Sequence, residues 1–331
     1  TSDELAAAHR ILAPPKRSMH GHSAPAATYS NEEKLRAQLI AEAERTILNI
    51  ANYKKALEES PEGEMQSILN ALSGGYVAPT SGGDAVANPQ AVPTGRNLYS
   101  INAEATPSEQ AWTKGKELAE RTLEQYRERH GDYPRKVSYT FWSSEFIESE
   151  GATIAQALYM LGVEPVRDAY GRVSDLRLIP SEELGRPRID IVVQTSGQFR
   201  DLAASRLALI SRAVSMAAAS TGDRYGNRVA EGTVETERLL VEQGVSPKEA
   251  RDLSVQRVFG GINGMYGTGI QSMITSGDKW QDEKEIAETY LNNMGAIYGG
   301  GEAWGEMKAG LLRAVLHNTD AVIQPRQSNT W

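Results

Sequence analysis

The chain has 331 residues, enough for two or three packed units around a sizeable core, and a formal net charge of −8 with acidic and basic residues mixed along its length. That balance offers no basic patch for DNA or an anionic membrane, so no nucleic-acid role is expected. It contains no cysteine, which excludes disulfides, thiolate nucleophiles, zinc–cysteine sites and iron–sulfur clusters, and no apolar run near the roughly 20 residues that span a bilayer.

Residues 1–75 read as an N-terminal arm followed by helices. His9, His20 and His22 lie in the arm among Pro, Ala and Ser without a helical or strand period, and would make a metal cluster only if the arm is ordered. "SNEEKLRAQLIAEAERTILNIANYKKALEES" opens with Ser-x-x-Glu and repeats Leu35, Leu39, Ile40, Ile47 and Ile50 at helical spacing, which predicts a helix over about 31–59. A second helix is expected near 62–73, ending at Gly74-Gly75. Residues 76–106 are too rich in Gly, Pro, Asn and Ser for regular structure and read as a functional loop or a linker.

Residues 107–222 alternate in the α/β manner. The helix "PSEQAWTKGKELAERTLEQYRERHG" leads to the strand "KVSYTFW", the helix "EGATIAQALYMLG", a strand around "PVRDAY", the strand "IDIVVQTSG" and the helix "DLAASRLALISRAVSMAAAS". The predicted class is α/β, a Rossmann-like parallel sheet region flanked by mostly helical regions. Ligands of such sheets sit at the carboxyl ends of strands, here "WSSE" (142–145) and "QTSG" (194–197), with Arg200 just beyond. From 223 to 331 helices and glycines dominate, including "SPKEARDLSVQRVF", "WQDEKEIAETYLNNMGAIYGGG" and "EAWGEMKAGLLRAVLHN", until a strand-like "DAVIQ". Neither end reads as a natural terminus, so a piece of a longer protein is expected.

"VFGGINGMYGTGI" places five glycines in thirteen positions, 258–270. It lacks the Lys of a P-loop and the third glycine of a dinucleotide fingerprint, and no strand is expected before it, which argues against phosphate binding. It either turns a tight corner or lets a flat ligand approach the backbone. Glu145, Glu148 and Glu150 in "WSSEFIESEG" could bind a cation or move protons, or simply complement a helix start. His317, beside Asp320 at a helix end, is either a metal ligand or proton carrier, or a cap on a carbonyl. No Gly-x-Ser-x-Gly elbow is present, so a hydrolase triad has no support.

Six stretches together resemble the large, porphyrin-binding subunit of the cobalt and magnesium chelatases: "ALSGGYVAPTSGGDAVANPQAVPTGRNLYS", "FWSSEFIESEGATIAQALYMLGVEPVRDAYGRV", "LIPSEELGRPRIDIVVQTSGQFRD", "RVFGGINGMYGTGI", "AETYLNNMGAIYGGG" and "NTDAVIQPRQSN". They follow the family's order over about 66–331, and the third is specific on its own. The resemblance implies a tetrapyrrole held in a cleft while a divalent metal (cobalt, magnesium or iron) is handled, with ATP hydrolysed on separate AAA+ subunits and the upstream part of the same large subunit as a further partner. It implies Gly264, Tyr266, Gly267 and Gly269 against the macrocycle, Glu145 and Glu150 in proton or metal handling, and Arg200 and Arg326 pairing with ring carboxylates, while Glu148 and His317 are candidate metal ligands by residue type.

Two departures qualify it. The family's His-Gly-Thr/Ser-Leu-Glu-Trp/Phe-x-Pro-Gly-Lys segment has no counterpart here, so a complete site is not expected in this chain alone. His317 stands where a glycine is expected, which suits a divergent branch with another metal or with reversed chemistry, such as removal of iron from haem with an axial histidine; a tetrapyrrole carrier without chemistry is a separate alternative. Insertion implies a cytoplasmic setting; haem handling would suit a membrane-associated or periplasmic one.

Overall fold

In a computed structural model, residues 2–12, 29–81, 91–99, 101–262, 264–277, 280–301 and 303–325 are described. The chain forms two compact units, Thr1–Tyr99 and Ser100–Trp331.

The first unit is built on α1 (Ser2–Leu12) packed against α2 (Asn31–Leu72). Ser30 starts α2 with the full capping box: its hydroxyl accepts from the Glu33 amide while the Glu33 carboxylate accepts from the Ser30 amide. Two helices were expected here, yet α2 runs unbroken through Pro61. The missing N–H deletes a single bond, to the Leu57 carbonyl, and the turns on either side keep the helix going. The loop that follows was expected to lack regular structure, but β1 (Pro79–Ser81) and β2 (Asn97–Tyr99) pair in parallel within it. Strands of three residues are too short to show a period.

The second unit opens with α3 (Glu109–His130), β3 (Lys136–Phe141), α4 (Ser143–Ser149) and α5 (Ala152–Met160). Next come β4 (Val163–Arg167), β5 (Val173–Leu178), α6 (Ser181–Leu184), β6 (Asp190–Thr195) and α7 (Gly197–Ala218). It continues through α8 (Arg228–Glu242), α9 (Pro247–Ser254), β7 (Val258–Gly260), α10 (Gln271–Ser276) and α11 (Glu283–Asn293). β8 (Ala296–Ile297), α12 (Leu311–Leu316) and β9 (Ala321–Ile323) complete it. The main sheet has the order β8-β7-β6-β3-β9, parallel except for the edge strand β8. This is the expected α/β sheet.

Three expectations fail in detail. The strand around "PVRDAY" is β4, which pairs antiparallel with β5 in a separate hairpin. Part of the stretch read as the helix "SPKEARDLSVQRVF" is β7, so the glycine run does follow a strand and in fact begins inside one. The expected helix "EAWGEMKAGLLRAVLHN" shrinks to α12.

Alternation along the strands explains how the sheet is buried on both sides. Val137, Tyr139, Ile191, Val193 and Val258 meet Leu123 of α3, Leu158 of α5 and Ile210 of α7. Val192, Phe259 and Ile297 point the other way, into Leu240, Leu253, Leu312 and Val315. Each such side chain contributes about 1.5–3 kcal/mol. Helices α3 and α5 lie so close that a Cβ on Gly115 would stand 2.4 Å from the Ala155 methyl. No described helix is long and apolar enough to cross a membrane.

Candidate functional site at the carboxyl ends of the strands

β3, β6 and β7 all end at one edge of the sheet, where Thr140, Trp142, Thr195, Ser196, Met265 and Tyr266 border a small cleft of about 30 Å³. Ser196 caps α7 there, its hydroxyl accepting from the Phe199 amide at 3.2 Å. Gly197 then lets the glycine run close over the helix start: a Cβ at 197 would lie 2.7 Å from the Met265 carbonyl and 2.8 Å from the Tyr266 ring. Gly260 plays the same part between strands, with Thr195 Cγ2 at 2.9 Å from its would-be Cβ. Gly264 (φ +86°) and Gly269 (φ +78°) take left-handed turns that favour glycine. Gly264 has nothing within 4 Å of a built Cβ, and Gly267 meets only the Gln271 side chain at 3.8 Å, so the crest of the run is open.

The run is held from beneath by Arg200, which is only 4% exposed. Its Nη1 donates to the Gly261 carbonyl at 3.1 Å and to the Tyr298 hydroxyl at 3.2 Å, and its Nε donates to Asp201 Oδ1 at 2.9 Å. The Tyr298 hydroxyl donates to the same Gly261 carbonyl at 2.6 Å, and the guanidinium lies over the Tyr298 ring. Arg200 therefore anchors the loop instead of standing free for a ring carboxylate. The group facing outward is its neighbour Asp201, whose side chain is 49% exposed. The Tyr266 hydroxyl donates to Asp201 Oδ2 at 2.9 Å. Hydrogen bonds from Arg200 and Tyr266 hold the Asp201 carboxyl below the usual carboxylate range, and the bond to Asp201 raises the Tyr266 phenol. Asp201 escaped the sequence reading because an "RD" pair at a helix start looks like ordinary surface charge.

Glu145 lies in α4, just beyond Trp142, and its Oε1 accepts from the Ser149 hydroxyl at 2.7 Å. Burial pushes its carboxyl up, against the opposing hydrogen bonds from Ser149 and Thr153, and the charge of Glu148 adds to the rise. Glu150 ends α4 in the left-handed region (φ 52°), its side chain exposed and its carbonyl accepting from the Ser108 amide at 3.1 Å. The Trp142 Nε1 is buried without a partner.

His317 is elsewhere. It follows α12 at the amino end of β3, where its carbonyl accepts from Lys136 Nζ at 3.0 Å and its Nδ1 lies 3.6 Å from Glu235. It therefore cannot share one ion with Glu148, which follows the carboxyl end of that strand. No cluster of three or more His, Asp or Glu suited to a metal occurs among the described residues. His9 pairs with Glu44 at 2.7 Å, while His20, His22 and Arg326 lie outside the described residues. The amino-end edge is instead welded by a buried ionic cluster. Arg257 Nε donates to Asp190 Oδ1 at 2.9 Å and its Nη2 to Oδ2 at 3.2 Å, with Lys136 Nζ 3.6 Å from the same carboxylate. Burial brings the Lys136 ammonium down to about 8.

The chain is an α/β protein whose mostly parallel sheet carries a glycine-lined cleft at its strand ends, the place where ligands of such sheets bind. The family model described as CobN/Magnesium Chelatase matches residues 9–331, and the chain belongs to that family. It is 33% identical over 96% of its length to the aerobic cobaltochelatase subunit CobN of Pseudomonas aeruginosa, covering 25% of that protein. It is 37% identical over 70% of its length to the chloroplastic magnesium-chelatase subunit ChlH of Oryza sativa, covering 16% of that one. Among solved structures, the catalytic subunit of cobaltochelatase from Mycobacterium tuberculosis superposes with a TM-score of 0.70 at 28% identity, over 88% of this chain and 26% of that one. The chain thus spans about a quarter or less of the length of these relatives.

Proposed function

We propose that the chain is part of the large subunit of a tetrapyrrole metal chelatase, which holds the macrocycle and inserts a divalent metal, cobalt before magnesium, with ATP hydrolysed on separate AAA+ subunits in the cytoplasm. The observation that carries this reading is Asp201, hydrogen-bonded to Tyr266 of the glycine run, with Glu145 on the helix that follows β3, in a chain of this family. Insertion requires two pyrrole protons to leave and the metal to shed water. A carboxylate held ionised, as Asp201 is, suits capture of the incoming divalent ion. A carboxyl whose affinity for protons is raised by burial, as at Glu145, suits the proton traffic. Glu148 and Glu150 add negative charge near the same helix, and Arg200 acts as a positioning residue. Gly264, Tyr266 and Gly267 form the wall against the ring; Arg326 is proposed for a ring carboxylate from the family motif alone.

A second reading, removal of iron from haem, is favoured by one observation: the exposed His317, an imidazole where the family motif calls for glycine. Absorbance spectra of the full-length protein separate the two. It is incubated with haem, or with metal-free porphyrin plus cobalt or magnesium, each with and without the ATPase subunits. ATP-dependent metalation of the free porphyrin is expected. Haem bleaching to free porphyrin without ATP would overturn the insertion reading, and binding without turnover would make the protein a carrier.

A further inference from the structure

At the opposite end of the sheet from the strand-end cleft, a second cavity of about 290 Å³ opens between the amino ends of β3 and β6, the first turns of α8 and the segment after α12. Arg135, Lys136, Asp190, Arg228, Glu235 and Asn318 are among its walls, and each carries a charge or an amide. Gly232 lets α8 pass over the floor: a Cβ there would stand 2.1 Å from Asp190 Oδ2.

The carboxylates of the cavity are already engaged. Asp190 accepts from Arg257 at both oxygens, and Glu235 accepts from Arg238 at both, 3.0 Å from Nε and 2.8 Å from Nη2. Glu231 accepts from Arg228 Nη1 at 2.9 Å. Two buried cations, Lys136 and Arg257, share the single buried carboxylate of Asp190, so the floor carries an excess of positive charge. The donors are the groups left over. Neither terminal nitrogen of Arg135 has an acceptor among the described residues, and its Nε lies 3.7 Å from Asp320. Arg228 Nε is buried without a partner, which costs stability unless something fills the gap. The Asn318 amide also has no partner among the described residues. Its backbone takes the left-handed conformation (φ 59°), which asparagine tolerates better than most side chains. Saturated acceptors, idle donors and a positive floor suit a ligand that brings negatively charged oxygens.

We propose that this cavity binds a small oxyanion, a carboxylate or phosphate group, held by Arg135, Arg228 and Asn318 above the charge of Lys136. Its volume lies at the small end of ligand pockets, enough for phosphate or a short dicarboxylate. The occupant would tie β3, β6, α8 and the end of α12 together without touching the strand-end cleft. The site stands apart from the chelatase reading and does not depend on it.

Its test titrates the full-length protein with sodium phosphate and with sodium succinate, each against sodium chloride at equal ionic strength, by calorimetry and by thermal unfolding. A saturable rise in melting temperature is expected, since a ligand that binds only the folded state stabilises it. A rise with phosphate alone marks a phosphate site, with succinate alone a carboxylate site, and with both a general oxyanion site. Arg135→Gln and Asn318→Gly, the second of which keeps the left-handed backbone, should each weaken binding about tenfold. Both side chains lie at exposed positions, so the unliganded variants should melt close to wild type. An equal rise with chloride would mean screening only and overturn the proposal, as would the absence of saturable binding. Wild-type affinity in both variants would place the anion elsewhere and overturn it as well.

Discussion

Asp201 and Glu145 are two carboxyls whose surroundings push them in opposite directions. Asp201 is stabilised as an anion by Arg200 and Tyr266, whereas Glu145 is disfavoured as an anion by burial. The consequence for stability can be worked out for Glu145. Its folded-state affinity for protons exceeds the unfolded one, so the folded state is relatively strongest at low pH and loses stability as pH rises from the unfolded pKa of about 4.3 through the folded value. Glu145→Gln cannot titrate but still accepts hydrogen bonds. Its melting temperature should therefore gain on wild type between pH 4 and pH 8, and a difference that does not change with pH would show that the carboxyl feels no burial. In turnover, the same variant should lose about 10²-fold or more with tetrapyrrole binding unchanged, which steady-state rates and a separate binding titration would check. Unaltered turnover would return Glu145 to the support of the α5 start, through Ser149 and Thr153.

At the scale of elements, the glycine run shows what a sequence can and cannot disclose. That it would turn tightly was legible from its glycine content, whereas its open crest was not. Its role as the end of β7 was not, because three residues carry no readable period and the strand is defined by its partner β6. The helices α3, α7 and α11 and the strands β3 and β6 were readable because their apolar spacing runs over six residues or more. The opposite ends to which Glu148 and His317 belong depend on strand order, which no local pattern encodes. Gly197→Ala should push Met265 and Tyr266 off the start of α7, weakening tetrapyrrole binding at least about tenfold in a titration, because the offending atom is a backbone carbonyl at 2.7 Å. Gly264→Ala meets no atom and should cost only about 1 kcal/mol of left-handed strain in a denaturation midpoint. Equal effects of the two would mean that the approach of run to helix is unimportant. Arg257→Met leaves Asp190 buried with Lys136 as its only cation among the described residues and should cost about 3–5 kcal/mol by urea unfolding. A loss below about 1 kcal/mol would show that Lys136 suffices.

For the molecule as a whole, the family was readable from six ordered stretches, and the sheet they build presents its candidate chemistry at one edge. The polar machinery divides by end: ionisable groups near an open cleft at the carboxyl ends, and a sealed Lys136–Asp190–Arg257 cluster that fixes β3, β6 and the approach to β7 at the amino ends. The chain spans about a quarter or less of these relatives' length, and the proposal is that it contributes one wall of a larger site. The central claim is that Asp201, hydrogen-bonded to Tyr266 on the wall of that cleft, handles the metal. Its most direct test is the rate of cobalt insertion into a metal-free tetrapyrrole by the full-length protein with its AAA+ subunits and ATP, wild type against Asp201→Asn. We expect the variant to bind the tetrapyrrole normally and to insert cobalt about 10²-fold more slowly, with the deficit partly relieved at high cobalt. Insertion at the wild-type rate would contradict the account.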